Sequence, residues 1–264
     1  MSKLKVLFIL GLIFSLHGFP SDHLEGISGE VIVLPVDEDL NEAKFASLTS
    51  KDRNYAVIGL PYVNQVRNFK FGNKYIRVIP FDYGESRITI KDQSKVLLNE
   101  VDKNRTFSES RIINNALNTH SENLNPDFDF IIPVNGIVSS RYGKKRFIND
   151  MPRSPHLALD IAAPEGTPVY APSNGKVIQT GDYFYSGNYI MLDHGMGLIS
   201  SYSHLNSINV ATGDNIKKGM TIGNVGSTGR VTGPHLHWSV YLNKQRINPE
   251  LLLDQRILLK TSNF

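Results

Sequence analysis

Two histidines at alternate positions are the residues here whose type and spacing most directly suggest chemistry. His235 and His237 follow a Gly-Pro turn in a segment that alternates polar and apolar side chains, which is the pattern of a β-strand. Side chains on a strand repeat every second residue, so both imidazoles are predicted on one face, with Leu236 and Trp238 facing a core on the other. Two imidazoles on one rigid strand commonly present nitrogen ligands to zinc. Chance composition also produces such pairs, so further ligands are needed.

A second segment supplies an imidazole and a carboxylate at a workable spacing. His156 and Asp160 are four residues apart in a stretch bounded by Pro155 and Pro164, and the prolines favour a strand or extended loop over a helix. With His204, four histidines and one aspartate are candidates for the metal site. A catalytic zinc ion typically has three protein ligands and an open position, whereas a structural site has four. Cysteine-based zinc sites are excluded because the chain has no cysteine.

Three motifs around these residues resemble those of the M23 zinc metallopeptidases, the lysostaphin-type endopeptidases that cut the peptide part of bacterial peptidoglycan. In chain order they are His156-x-x-x-Asp160, Tyr202-Ser203-His204-Leu205 and Gly233-Pro234-His235-Leu236-His237. The similar region runs from about residue 133 to residue 252. One departure is Ala158, at a position where many members have glycine. Alanine is small and leaves the ligands untouched, so we interpret it as a tolerated change.

The resemblance implies a role for each candidate. It assigns one Zn²⁺ per chain to His156, Asp160 and His237, and it leaves His204 and His235 as catalytic histidines beside the metal. One histidine would take a proton from the attacking water, and the other would contact the oxyanion or protonate the leaving amine. The implied substrates are peptidoglycan stem peptides or cross-bridges, with the D-alanyl–diaminopimelate cross-link as the expected bond.

Two other function classes stay open. Some relatives with this domain have lost metal ligands and instead bind and activate cell-wall amidases, so a catalytically silent regulator is the main alternative. A zinc-stabilised binding module is the second, and it would have a closed site with four ligands. The complete set of three ligands and two further histidines favours the enzyme.

Composition sets broad limits on partners. The chain has 264 residues and a net charge of +3, which suggests one or two globular domains. No helix-turn-helix or zinc-finger pattern is present, and the small charge does not argue for nucleic acid. We therefore predict no nucleic-acid partner.

The first residues have the pattern of a secretory signal. Residues 1–5 are basic, residues 6–16 form a mostly apolar run of eleven, and Gly18 and Pro20 interrupt the pattern. This run is too short for an ordinary transmembrane helix. We predict a signal peptide at residues 1–18 and a periplasmic or cell-wall location. The alternatives are an uncleaved signal that anchors the protein in the inner membrane, and a buried helix.

The remaining pattern predicts an all-β protein with two β domains. Residues 27–100 are predicted as a small β domain, in which segments such as Tyr55 to Leu60 are rich in β-formers. Residues 101–127 are predicted as a linker with a short helix at 108–117. The peptidase domain, an antiparallel sheet with a metal cleft, is placed at 128–252, and a tail at 253–264. The first domain is either a spacer or a cover over the cleft.

Several residues are predicted to lie outside the catalytic set. His120 is interpreted as a solvated linker histidine and His194 as a structural one. The run Lys144-Lys145-Arg146 is interpreted as a solvated basic turn, with contact to acidic wall polymers or the substrate as the alternative. Asn188 is expected to hydrogen-bond near the cleft.

Overall fold

The structure is a computed structural model that describes residues 24–36, 45–50, 52–90 and 97–257. The predicted signal peptide at residues 1–18 and the end of the predicted tail, residues 258–264, lie outside this part of the chain. Within the described residues there are nineteen β-strands and one α-helix, which confirms the all-β prediction. No helix among these residues combines the length and apolar character needed to cross a membrane.

The N-terminal half contains seven strands and the helix. They are β1 (Leu24–Ile27), β2 (Val31–Pro35), β3 (Ala46–Ser50), β4 (Arg53–Gly59), β5 (Arg67–Phe71), β6 (Lys74–Ile79), β7 (Glu85–Ile88) and α1 (Glu100–Ala116). Two small sheets form, with strand orders β2-β4-β3 and β1-β6-β5. The pair β1 and β6 is parallel, and the other pairs within these two sheets are antiparallel.

Strand β4 is buried on both faces, which explains its continuous apolar sequence. Tyr55 and Val57 belong to the main hydrophobic core, which also contains the residues of the peptidase region. Ala56 and Ile58 alternate with them and face a second cluster that includes Ile76 of β6. Because successive side chains of a strand point to opposite faces, the sheet β2-β4-β3 lies between two apolar layers. The boundary between two domains remains a prediction. One face of this sheet packs against the core of the peptidase region, and its other face packs against the cluster that includes β6.

The helix is longer than the sequence pattern predicted. α1 begins at Glu100 rather than near residue 108, and its N-cap is Asn99, whose side chain accepts a hydrogen bond from the backbone N–H of Asp102. No residue of α1 is buried. An apolar stripe therefore does not mark its start, and the capping residue and the acidic first turn set its N-terminus.

The C-terminal half contains the other twelve strands. They are β8 (Ile137–Ser140), β9 (Lys145–Ile148), β10 (Met151–Arg153), β11 (Leu159–Ala162), β12 (Pro168–Tyr170), β13 (Gly175–Tyr183), β14 (Gly187–Gly195), β15 (Leu198–Ile208), β16 (Asn215–Ile216), β17 (Thr221–Val225), β18 (His235–Leu242) and β19 (Gln245–Ile247). A short 3₁₀ helix follows at Pro249–Leu252.

One large antiparallel sheet organises this half. Its main strand order is β16-β13-β14-β15-β18-β11-β8, with β12, β17 and β19 attached beside it. Strand β18 lies between β15 and β11, so it is fixed on both edges. Trp238, on the apolar face of β18, is fully buried, and burial of a large apolar side chain stabilises a fold by about 1.5–3 kcal/mol. The strand that carries two of the histidines is therefore a rigid, central element.

A third small sheet joins the two halves of the chain. Strand β7 of the N-terminal half pairs in parallel with β9, and β9 pairs with β10 in antiparallel fashion. The basic run is consequently not the solvated turn that we predicted, because Lys145 and Arg146 lie in β9. The isolated sequence does not reveal this pairing, since the partner strand lies about 60 residues away.

The contact between β4 and the large sheet provides a test of this packing. A Cβ atom added at Gly59 would lie 2.7 Å from the carbonyl oxygen of Leu242 and 3.0 Å from Ile247 Cγ2. Gly59→Ala is expected to destabilise the protein by about 1–3 kcal/mol because the two sheets must separate. Urea unfolding measures the change.

The matched control for this prediction is Gly233→Ala. A Cβ atom at Gly233 meets no atom within 4 Å, so the free energy of unfolding is expected to change by less than about 0.5 kcal/mol. Equal stability of the two variants would show that the N-terminal sheet does not pack tightly on the large one.

Candidate metal centre

The candidate ligands meet where β11 and β18 run side by side. In the antiparallel register of these strands, Asp160 is directly opposite His237, and Ala162 is opposite His235. His156 lies in the extended segment that leads into β11. Residues directly opposite on antiparallel strands have Cβ atoms only about 4.5–5.5 Å apart, so the register itself brings the carboxylate to the imidazole.

Three ligand atoms form a small triangle. His156 Nε2 lies 2.9 Å from Asp160 Oδ1 and 3.3 Å from His237 Nδ1, and His237 Nδ1 lies 2.7 Å from Asp160 Oδ1. Ligands of a zinc ion lie about 2.0–2.2 Å from it, so atoms this close together can share one ion. No other group of three or more His, Cys, Asp or Glu residues in the described chain meets this condition.

The hydrogen bonds of His156 show that this triangle suits a cation. His156 Nδ1 lies 3.1 Å from the carbonyl oxygen of Arg141, and because a carbonyl only accepts, Nδ1 carries the proton. In the neutral ring Nε2 then has a lone pair that faces the carboxylate of Asp160. Two acceptors at 2.9 Å are stabilised only by a proton or a cation between them. Two imidazole nitrogens and one carboxylate oxygen also form a donor set that transition metals bind.

Burial and charge determine the protonation of these ligands. Burial alone would raise the pKa of the Asp160 carboxyl, but the imidazoles of His237 and His156 hold that pKa well below its usual range. Burial, only partly opposed by the carboxylate of Asp160, lowers the pKa of His237 to about 4. At neutral pH the site therefore has an ionised carboxylate and a neutral His237, which are the forms that bind metal.

His204 lies beside the triangle in a strained conformation. Its φ of 66° is in the left-handed region, which non-glycine residues rarely adopt and which is often found at functional sites. The backbone N–H of His204 donates to Ser186 O at 2.7 Å, and Nδ1 donates to Thr228 O at 2.9 Å. These two bonds fix the ring and leave Nε2 as an acceptor. Burial, followed by the nearby His237 and His235, lowers the pKa of His204 well below its ordinary value.

His235 makes the same kind of Nδ1 hydrogen bond as His204. Its Nδ1 donates to the carbonyl oxygen of Gly233 at 2.8 Å, so in the neutral ring Nε2 is the acceptor. That atom lies 4.0 Å from Asp160 Oδ2, and the rings of His204 and His235 have centroids 4.9 Å apart. The structure thus places two imidazoles beside the ligand triangle, each held through Nδ1 with its Nε2 left available.

The supporting residues include one that the sequence pattern did not single out. Thr228 accepts the hydrogen bond from His204 through its carbonyl, while its hydroxyl donates to Leu205 O at 2.8 Å and accepts from the backbone N–H of Asn188. Asn188 also donates from Nδ2 to Leu205 O and Asn206 O. Both side chains therefore fix the backbone that follows His204. The only local signal for this loop is the short turn-forming sequence Gly-Ser-Thr-Gly at 226–229.

The remaining histidines lie outside the centre. His194 is buried, and its two ring nitrogens lie 2.7 Å from Asn174 O and 2.7 Å from Ser200 Oγ. Burial lowers the pKa of His194 to about 4, so it is a neutral, hydrogen-bonded core residue. His120 is partly buried in the segment after α1, where its Nδ1 lies near Gly197.

The histidines open into a cleft of about 470 Å³. Its lining includes Ser86 and Ile88 of β7, Tyr185, and the loop at residues 230–234. Three cationic side chains also line the cleft, and sequence reasoning did not predict them as a group. They are Lys144, Arg146 and Arg230.

Comparison with known proteins identifies the region that contains this centre. The model of peptidase family M23 matches residues 154–249, which include all five candidate residues. A crystal structure of a Pseudomonas aeruginosa protein described as a peptidase M23 superposes with a TM-score of 0.69 at 29% identity. The match covers 86% of this chain and 94% of that one, so it includes most of the N-terminal half as well.

Curated relatives are similar over the same region. The peptidoglycan DD-endopeptidase ShyA of Vibrio cholerae is 39% identical over 112 residues, which are 42% of this chain and 26% of the relative. The DD-carboxypeptidase/endopeptidase Mpg of Neisseria meningitidis is 45% identical over 94 residues, which are 36% of this chain and 22% of the relative. The aligned part is thus only about a quarter of these relatives' length. With the motifs, the family match and the shared fold in agreement, residues 154–249 form a peptidase family M23 domain.

Proposed function

We propose that this protein is a zinc-dependent endopeptidase that hydrolyses peptide cross-links of bacterial peptidoglycan. The observation that carries the proposal is the convergence of three ligand atoms within 2.7–3.3 Å of one another, with the two available imidazoles of His204 and His235 in the same cleft. A structural site would use a fourth protein ligand, and among the described residues only three meet in the group.

The three ligands would be His156, Asp160 and His237. Imidazole and carboxylate ligands suit zinc, and three of them leave one position open for chemistry. When bound, zinc lowers the pKa of a coordinated water and polarises the scissile carbonyl. Side-chain exposures of 1%, 16% and 22% for the three ligands show that the His156 side is closed and the His237 side faces the cleft.

The two remaining histidines would move the proton. A neutral imidazole whose Nε2 is available can accept the proton of the attacking water, and the hydrogen bonds of His204 and His235 use Nδ1 and leave Nε2 for this role. After the tetrahedral intermediate forms, the C–N bond breaks and the protonated imidazole returns the proton to the leaving amine. Before that bond breaks, the other imidazole would stabilise the oxyanion of the intermediate, for which its Nε2 must carry a proton taken from solvent.

The substrate class comes from the relatives. ShyA is named a peptidoglycan DD-endopeptidase and Mpg a DD-carboxypeptidase/endopeptidase. These names support cleavage of a peptide bond between two D-centres, such as the D-alanyl–diaminopimelate bond. Such a substrate would place the protein in the periplasm or at the cell wall, as the predicted signal peptide also suggests. Activation of cell-wall amidases by a silent domain is less well supported, because here the ligand set is complete.

We also propose that the N-terminal half restricts access to the cleft. Strand β7 contributes Ser86 and Ile88 to the lining of the cleft. It contacts the peptidase half through its parallel pairing with β9. Separation of β7 from β9 would widen the cleft. A two-strand contact at a sheet edge, with Glu85 and Arg87 exposed, is a suitable place for such a motion.

Zinc content tests the ligand set. The purified protein is expected to contain about one zinc ion per chain, and Asp160→Ala or His237→Ala should weaken zinc binding by more than about 100-fold, since even loss of an outer partner costs about 10–100-fold. Competition with a chelating dye measures the affinity. His120→Ala is the matched control and should bind zinc normally. Tight binding by both ligand variants would contradict the assignment.

Digestion of purified cross-linked peptidoglycan tests the activity and the two proton carriers. Mass spectrometry should show cross-linked dimers converted to monomers. His204→Ala and His235→Ala are each expected to reduce the rate by about 10²–10⁴-fold, the usual contribution of general acid–base catalysis, while zinc content stays near one. Unchanged muropeptides with bound zinc in the unmodified protein would favour the regulator or the binding module.

An engineered disulfide tests the movement of β7. The chain has no cysteine, so Glu85→Cys with Lys145→Cys introduces one pair at directly opposite, exposed positions of β7 and β9. Neighbouring strands bring Cα atoms within the range that a disulfide spans. If β7 must separate, the oxidised protein should digest peptidoglycan several-fold more slowly than the reduced one. The two single-cysteine variants are the controls, and equal rates in both redox states would exclude the movement.

A further inference from the structure

The cleft has a positive charge that the proposed hydrolysis does not use. Lys144, Arg146 and Arg230 all line it. Among the residues described along the cleft, the sole carboxylate is that of Asp160, and this group belongs to the ligand triangle. With a divalent ion bound, the cleft is more positive still. A surface of this kind attracts anionic substrates.

The register of the small sheet places two of its arginines side by side. Arg146 of β9 is directly opposite Arg153 of β10, and Ser86 of β7 is opposite Arg146 on the other edge. Like charges in directly opposite positions destabilise a sheet. Within the described chain, Arg146 makes no ion pair. Burial lowers the pKa of its guanidinium, and the carboxylate of Asp160 partly opposes this effect. The sheet therefore holds a half-buried guanidinium at the cleft at a cost to stability.

Arg230 also lines the cleft and is held in position by Tyr185. Its guanidinium lies 4.1 Å from the ring centroid of Tyr185, and its backbone N–H donates to Tyr185 O at 3.0 Å. Burial, together with the positive charges of Arg146 and Arg153, lowers the pKa of Arg230. The guanidiniums of Arg146 and Arg153 therefore lie within electrostatic reach of Arg230, and Arg146 and Arg230 both line the cleft. An anion between them would relieve this repulsion.

We propose that Arg146 and Arg230 bind a free carboxylate of the substrate next to the scissile bond. Guanidinium groups present a planar fork that matches a carboxylate, often with two parallel hydrogen bonds. The inference rests on the proposed endopeptidase function and narrows its substrate class to cross-links that have a carboxylate near the bond cut. In a D-alanyl–diaminopimelate cross-link, the carbon that bears the leaving amine also bears a free carboxylate, whereas oligoglycine bridges have none at internal positions.

Two matched cross-linked muropeptide dimers test the proposal. They differ only in the diaminopimelate carboxylate beside the scissile bond, which is free in one and amidated in the other. The unmodified protein is expected to favour the free carboxylate by about 10–100-fold in kcat/KM, the effect of a hydrogen bond to a charged group. In Arg146→Gln and Arg230→Gln this ratio should fall close to one, mainly through a higher KM for the free carboxylate. Arg146→Lys, which keeps the charge without the fork, should retain an intermediate preference.

The matched control is Arg87→Gln. Arg87 lies in β7 of the same small sheet, but it points to the other face, where its guanidinium stacks 4.0 Å from the ring centroid of Phe147. This variant loses the same charge and should keep the full preference for the free carboxylate. Equal cleavage of both dimers by the unmodified protein would overturn the subsite and leave the peptidase function intact. So would an undiminished preference in both Arg146→Gln and Arg230→Gln.

Calorimetric binding of the free-carboxylate and amidated dimers separates this inference from the proposed function. If neither dimer is cut, the peptidase proposal fails, and binding decides the subsite. Tighter binding of the free carboxylate, lost in Arg146→Gln and Arg230→Gln but not in Arg87→Gln, supports the subsite. Equal binding of both dimers by the unmodified protein overturns it.

Discussion

The structure of this protein depends on the alignment of β11 with β18. This register places Asp160 opposite His237, and the carboxylate of Asp160 also faces Nε2 of His156, whose ring proton is donated to Arg141 O. Such a pair of acceptors is stable only around a proton or a cation. A shift of one residue would send every side chain of one strand to the opposite face. The deep burial of Leu236 and Trp238 on the apolar face of β18 therefore keeps the candidate metal ligands on the cleft face.

The surrounding structure controls the imidazoles through their Nδ1 atoms. His156, His204 and His235 each donate from Nδ1 to a backbone carbonyl, so one tautomer is set at three positions by backbone groups. The strain at His204, whose φ is 66°, is part of this arrangement. It turns the ring into the cleft at the point where the pairing of β15 with β18 ends.

The N-terminal half contributes to the same site from a distance. Its sheet β2-β4-β3 extends the main core, and β7 extends the small sheet that presents Arg146. A shared core means that this half is more than an attached spacer in energetic terms. The large sheet therefore supplies the candidate metal ligands to the cleft. The small sheet supplies Arg146, whose position depends on the pairing of β9 with β7. Charge near the scissile bond adds selectivity that a metal ion by itself does not supply.

Much of this could be predicted from local patterns. Alternation and motif spacing predicted β18, the side shared by His235 and His237, and the grouping of His156 with Asp160, because strand periodicity and turn residues are local properties. Helix α1 was predicted too short, since it buries no residue and hydrophobic spacing did not mark its start. The double burial of β4, the pairing of β7 with β9 and the cationic cleft were decided only in the tertiary structure. They depend on contacts between segments distant in the chain, which composition and spacing do not encode.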